Sequence, residues 1–260
     1  MGTLAQGWRS QRRVIGALMI RELVTRFGRE NIGFLWMMVE PLLFAILVGF
    51  LWRLMKGPED HGISVFAFVA TGYIPLTLFR HCATRSIRVI NVNSSLMYHR
   101  QIKLQDFIFV RVLIEVIGGC MAYVFIATVL GLIGEFPVPA DMGAFLLGWL
   151  LYCVFVLALC MVMAPLSEMS DVLEKILPVA TYIQIPASGA FNMMSWLTPQ
   201  AQNALYYSPF VHPMELMRYG VFGARVNAKW DLSVTIVWTV VFMAIGLILC
   251  RRIRRNLVVE

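Results

Sequence analysis

Charge is what this sequence holds least of. Aspartate, glutamate, lysine and arginine make up 14% of its 260 residues, where a soluble domain carries about 25%. So few charged side chains cannot cover a chain of this length with a polar surface, which excludes an ordinary water-soluble globule. Signatures of chemistry are missing too. No glycine directly precedes a lysine, which removes a phosphate-binding GKS/T loop, and no histidine is followed by glutamate, which removes an HExxH zinc site. A G-x-S-x-G nucleophile elbow is also absent. The five cysteines (Cys82, Cys120, Cys153, Cys160 and Cys250) lie mostly inside apolar runs. They lack the spacing of a disulfide framework or zinc site and read as small buried hydrophobes. No matching halves are visible, which argues against the duplicated bundles of many secondary transporters.

What is there is hydrocarbon. Hydrophobic residues make up 59% of the chain, the mean hydropathy is +0.74, and the bilayer is the solvent these values imply. A transmembrane helix needs about 20 apolar residues to cross a core of about 30 Å. On that scale six spans are expected, at about 33–54, 63–80, 107–133, 143–166, 172–192 and 231–250. No cleavable signal peptide is evident, because the first apolar run is long and follows a helix-like polar segment. Placing the N-terminus inside leaves only Arg53, Lys56, Arg218, Arg225 and Lys229, of the 22 lysines and arginines, on the outer side. The positive-inside rule therefore puts both termini in the cytoplasm, and the net charge of +7 is a topology signal. Nucleic acid is not needed to explain it.

Two linking segments have a pattern of their own. Residues 11–31 read as an interfacial helix, with Ile15, Met19, Leu23 and Phe27 at every fourth position and Ile20 beside them. Such a helix is expected to lie on the inner leaflet with its arginines near lipid phosphates. Residues 193–230 are too polar for a span and contain two helix-like pieces, about 199–206 and 212–222, separated by Ser208-Pro209. They are expected to re-enter the outer half of the membrane beside the pathway. Glu40-Pro41 interrupts the first span. A lone carboxylate facing lipid costs at least about 2.5–3.5 kcal/mol. Glu40 is thus expected to face the protein interior, a watery path or a cation such as Arg21, Arg26 or Arg29, or else to be solvated near the headgroups. Pro41 removes a backbone donor and loosens the preceding turn. Arg111 and Glu115, spaced i,i+4, are expected to pair with each other. Sugars pack their C–H faces on aromatic rings, which makes Trp36, Phe44, Tyr73, Phe79, Tyr152, Tyr182, Phe191, Trp196 and Tyr207 candidates for a channel wall or gate. Each could equally pack helices or face lipid.

Two stretches carry a family resemblance. RELVTRFGRENIGFLWMMVEPLL (21–43) and YYSPFVHPMELMRYGVFG (206–223) resemble the N-terminal signature and the pre-final segment of ABC-2 type permeases that export polysaccharide. The wording is similar to the capsular branch of Gram-negative bacteria, and the resemblance covers essentially the whole chain. It implies an all-α integral membrane domain over 1–260, with six transmembrane helices, an N-terminal interface helix and re-entrant periplasmic helices between spans five and six. It implies a subunit that is no enzyme itself and carries no cofactor, with ATP and Mg held by two separate ATPase subunits. A second copy of the chain would complete the channel for a lipid-linked polysaccharide, and a periplasmic adaptor and outer-membrane export proteins would continue the route. The matching coupling positions lie near VNSSLMYHRQIKLQDF (92–107), and Tyr98, His99, Arg100 and Lys103 within it, with Asn91 just before it, are the implied ATPase contacts. Arg21, Arg26 and Arg29 fall at the substrate entrance, and Trp36, Glu40 and Pro41 in the channel or its gating. Export of O-antigen, teichoic acid, a drug or a lipid, and a membrane enzyme or channel without an ATPase, are the alternative readings.

Overall fold

A computed structural model describes residues 4–27, 33–93, 96 and 102–257, with side chains placed for all of these except 4–5, 27, 33–38, 90–91 and 255–257. The N-terminal basic segment is helix α1 (Leu4–Phe27), followed by α2 (Gly33–Lys56). An antiparallel hairpin of β1 (Glu59–Asp60) and β2 (Ile63–Ser64) turns the chain into α3 (Val65–Ser86). Next come the short α4 (Val89–Val92), then α5 (Leu104–Leu132), α6 (Met142–Met169) and α7 (Asp171–Ala187). A 3₁₀ turn at Met194–Trp196 leads to α8 (Pro199–Tyr206) and α9 (Val211–Phe222), and α10 (Leu232–Leu257) closes the chain.

Among the described residues four helices are long and apolar enough to cross a membrane: α3, α5, α6 and the 232–254 part of α10. Of the other two expected spans, α7 falls short of that measure. α7 has 17 residues, about 25 Å at a rise of about 1.5 Å, against a hydrocarbon core of about 30 Å. It stops at Ala187, five residues before the expected end, where Ser188 caps it and Gly189 follows at a φ of 73°. The described side chains of α2 include Glu40, Arg53 and Lys56. Helix starts are signalled locally. Asp141 accepts from the Ala144 N–H at 3.0 Å, and Asp106 accepts from the Lys103 N–H at 2.9 Å, as N-terminal caps do.

Helix α3 lies at the centre, and every residue from Ala67 to Phe79 is buried. A helix enclosed on all sides belongs inside a bundle, and α3 packs against α2, α5, α6, α7 and α9. Helix α9 is enclosed as well, with Tyr219 its one partly exposed residue. The ring of Phe210, just before it, meets Phe79 at 4.8 Å and Phe155 at 4.7 Å. At its far end the carbonyls of Gly220 and Val221 accept from Asp141 and Ala140, at 2.8 and 3.3 Å. α9 thus rises from the bundle interior to the α5–α6 turn. A Cβ on Gly220 would stand 2.5 Å from the Phe145 nitrogen, so only glycine permits this backbone approach to α6.

Helix α1 departs from expectation. Ile15, Met19 and Leu23 pack with Val14 and the buried Leu18 onto the protein core, so the stripe expected to face the leaflet faces protein instead. The exposed apolar side chains of α1 are Trp8, Ile20 and Val24. Polar pairs with α5 set this rotation.

Candidate functional site

The end of the bundle where α1 packs on α5 is built on two i,i+4 pairs, one on each of the two helices. Glu22 and Arg26 of α1 face Arg111 and Glu115 of α5. Arg26 bonds Glu115 at 2.6 Å and Glu22 at 3.0 Å, while Arg111 reaches Glu22 at 3.2 Å. Arg85 of α3 approaches Glu115 at 3.2 Å, and Arg111 also donates to the Arg85 carbonyl. The expected pairing of Arg111 with Glu115 is therefore corrected: each takes a partner on α1, and Glu115 a second on α3. The reason is burial. The Glu115 side chain is 2% exposed, and a carboxylate that deep needs several donors around it, which one flexible neighbour on its own helix does not supply.

Helix α1 also grips the segment between α3 and α5 at both ends. Arg21 donates to the Asn93 side-chain oxygen at 2.8 Å, and Asn93 donates in turn to the Val89 carbonyl at 2.7 Å. Gln11 donates to Asp106, whose other oxygen holds the Lys103 N–H. The same helix thus holds both ends of the segment in which the ATPase contacts are expected. Lys103 is exposed at its end. Tyr98, His99, Arg100 and Arg29 lie outside the described residues, as do the side chains of Asn91 and Trp36.

Glu40 is half-exposed, and its described partner is a histidine rather than an arginine of α1. His81 stands 3.5 Å from Glu40 through Nε2 and 3.6 Å from Glu115 through Nδ1, linking α2 to α5 by way of α3. Pro41 lies inside the helix assigned to α2. One turn on, Phe44 stacks on Tyr73 with centroids 4.3 Å apart and planes 9° apart. Tyr182 of α7 is 56% exposed and lies under the Arg80 guanidinium at 4.6 Å. Glu40, Phe44 and Tyr182 therefore present exposed surface on α2 and α7. Tyr152 and Phe79 are enclosed instead. The Tyr152 hydroxyl donates to the Pro75 carbonyl at 2.9 Å, and Phe79 sits edge-on to Phe210.

The opposite end of the bundle, expected to face outward, is held by α9. Arg218 is fully buried beneath Phe68 at 4.0 Å and donates to the carbonyls of Gly189 at 2.7 Å, Asn192 at 3.1 Å and Ala190. These bonds fix the segment after α7. A Cβ on Gly72 would come within 1.9 Å of the Ala190 oxygen, so α3 yields space for that segment. Phe191 packs on Trp52 at 5.8 Å, and Trp196 stacks on His61 at 4.3 Å. Lys56 bonds Asp60 at 2.7 Å and holds its carboxyl below the ordinary carboxylate range. Tyr207 is 71% exposed, edge-on to Tyr206. Sequence reasoning missed Arg80, His81, His212, Glu215 and Arg218. An arginine and a glutamate three residues apart on a short helix were the only signal for the last two.

Comparison with known proteins follows from this geometry. Residues 13–222 match the ABC-2 type transporter membrane family. A capsule polysaccharide export inner-membrane protein of Haemophilus influenzae, BexB, is 35% identical over 255 residues, covering 98% of this chain and 96% of the relative. CtrC of Neisseria meningitidis serogroup B, described in the same words, is 36% identical over 237 residues, covering 91% and 89%. The polysialic acid transport protein KpsM of Escherichia coli is 27% identical over 246 residues, covering 94% and 95%.

Proposed function

The chain belongs to the ABC-2 type transporter membrane family, and from that premise we propose that it is the permease subunit of an ATP-driven exporter of lipid-linked capsular polysaccharide. Two copies would form the channel in the bacterial inner membrane, with both termini cytoplasmic, and two separate ATPase subunits would hold ATP and Mg. The observation that carries this reading is the near full-length similarity to two capsule-export inner-membrane proteins. Six spans, with α2 and α7 crossing alongside α3, α5, α6 and α10, complete the topology.

The geometry supports a mechanical role for α1. An ATPase that presses on residues 93–106 pushes on a segment held at both ends by Gln11 and Arg21. The displacement passes through the Glu22–Arg111 and Arg26–Glu115 bonds into α5, and through His81 and Arg85 into α3. Arg26 acts in this reading as a strut, since Glu22 and Glu115 occupy its guanidinium. Phe44 and Tyr182 suit the wall of a sugar path, where ring faces let a polymer slide without tight sites, and Tyr73 backs the Phe44 ring. α9, enclosed in the bundle, and α8 on the surface beside it serve as its outer gate. Beyond the membrane the polymer would pass to a periplasmic adaptor and an outer-membrane channel.

Deletion of the coding sequence tests the reading. Polymer should accumulate inside the cell and vanish from the surface, and its composition names the cargo. Normal surface polymer after deletion contradicts the proposal.

A further inference from the structure

A second feature of the outer end lies apart from the aromatic wall. Where α8, α9 and the start of α10 meet, a cavity of about 210 Å³ opens to the surface. Two almost fully buried polar side chains of α9 hold its walls in place. Glu215 accepts from the backbone N–H of Met194 at 2.9 Å and of Lys229 at 3.0 Å. One turn earlier, His212 accepts the Asp231 N–H on Nδ1 at 3.0 Å, which places its ring proton on Nε2, 2.7 Å from the Tyr206 carbonyl. Three chain segments are thus pinned to one helix, and the cavity is preorganised.

The lining points to a ligand class. Trp230 borders the cavity partly exposed, tilted against Tyr219 at 5.0 Å. Asn203 and Lys229 present amide and ammonium donors, while the Gln202 amide, which accepts from Lys229 at 3.1 Å and donates to the Leu197 carbonyl at 2.8 Å, holds the lining in place. Nothing else among the described residues engages the Asn203 amide. Tyr206 and Asp231 are joined at 2.6 Å, and hydrogen bonds from Ser233 and Tyr206 keep the Asp231 carboxyl below the ordinary carboxylate range. Both Asp231 oxygens already accept hydrogen bonds, from Tyr206 and Ser233, and Asp231 is thereby part of the fixed wall. An indole beside planar amides offers what a pyranose needs: an apolar surface for its C–H face and paired donors and acceptors for neighbouring hydroxyls. Cavities for drug-sized ligands run to about 300–1,000 Å³, so this one suits a single sugar ring. We propose that the cavity is an outer saccharide-binding subsite that holds one pyranose unit of the emerging polymer. The source of the sugar rests on the exporter reading; the chemistry of the cavity does not.

The full-length chain, purified in detergent, can be examined by saturation-transfer NMR with the methyl glycosides of glucose, galactose, N-acetylglucosamine and glucuronic acid. At least one glycoside should receive saturation from the wild type. Trp230→Ala and Asn203→Ala should each lower that signal about fivefold or more, as loss of a contact worth a hydrogen bond does. Trp230→Phe should retain part of it, and Trp8→Ala on α1 all of it. Unchanged thermal melting shows that the variants fold. Equal signals from wild type and Trp230→Ala, or none from wild type with any of the four, overturn the subsite. The deletion experiment decides the exporter reading separately, so a chain that exports polymer yet binds no glycoside overturns the subsite alone.

Discussion

Glu115 is where the inner-end architecture is most exposed to test. Its carboxylate, 2% exposed, holds Arg26 at 2.6 Å, Arg85 at 3.2 Å and His81 at 3.6 Å. Glu115→Gln keeps the shape and removes the charge. Breaking a buried pair by losing one partner costs about 3–5 kcal/mol, chiefly because the remaining charge is left uncompensated. Arg26 retains Glu22 at 3.0 Å, and the Arg85 side chain is 37% exposed, so water shares its load. Both facts place the expected loss at the lower figure, about 3 kcal/mol. With a melting shift of about 2–4 °C per kcal/mol for a large domain, the detergent-solubilised variant should melt roughly 6–12 °C below wild type. Combining it with Arg26→Gln should cost less than the two single losses added, by about 1 kcal/mol, because the pair acts as a unit. Fluorescence-detected size-exclusion after graded heating measures all four proteins. Melting of Glu115→Gln within about 2 °C of wild type, or strict additivity in the cycle, refutes the charge ladder as the joint between α1 and α5.

Other substitutions address other joints. Arg218→Lys loses the planar fork that reaches three carbonyls and should cost about 3 kcal/mol, seen as a lower melting point; unchanged melting contradicts its role as the outer anchor. Gly72→Ala forces a methyl against the Ala190 oxygen and should destabilise by about 1–3 kcal/mol, read as lost folded protein in the same assay. Neutralising both partners with Glu22→Gln and Arg111→Gln should cost less than the two single losses added, read from the same melting assay; strict additivity means the 3.2 Å contact carries no coupling. Glu40→Gln should leave the assembled complex intact and lower export, measured as surface polymer beside ATPase activity, and wild-type export would remove Glu40 from the path.

Much of the bundle was legible in the chain because a bilayer simplifies the code. Long apolar runs found α3, α5, α6 and α10, and Ser208-Pro209 correctly separated α8 from α9. Which way a helix faces was harder to read. Ile15, Met19 and Leu23 form a clean stripe, yet a stripe looks the same whether it meets lipid or protein; Glu22 and Arg26 at its edge decide for protein. Spacing paired Arg111 with Glu115 because i,i+4 is visible within one helix, whereas a partner 89 residues away is not. HPMELMRYG reads as part of a re-entrant helix, a reading that gives its polar side chains no task. Its His212, Glu215 and Arg218 are instead the buried pins of the outer end, with backbone groups as partners. Backbone acceptors carry no sequence signature, so no reading of residue types would have located them.

Reconstitution reaches the central claim most directly. The purified chain is placed in vesicles with a lipid-linked capsular polysaccharide, with and without a separate ATPase subunit of a capsule exporter, and translocated polymer is measured with and without ATP. Transport that appears only when ATPase and ATP are both present is the expected result. Polymer crossing with the chain alone, at the same rate and without nucleotide, contradicts it.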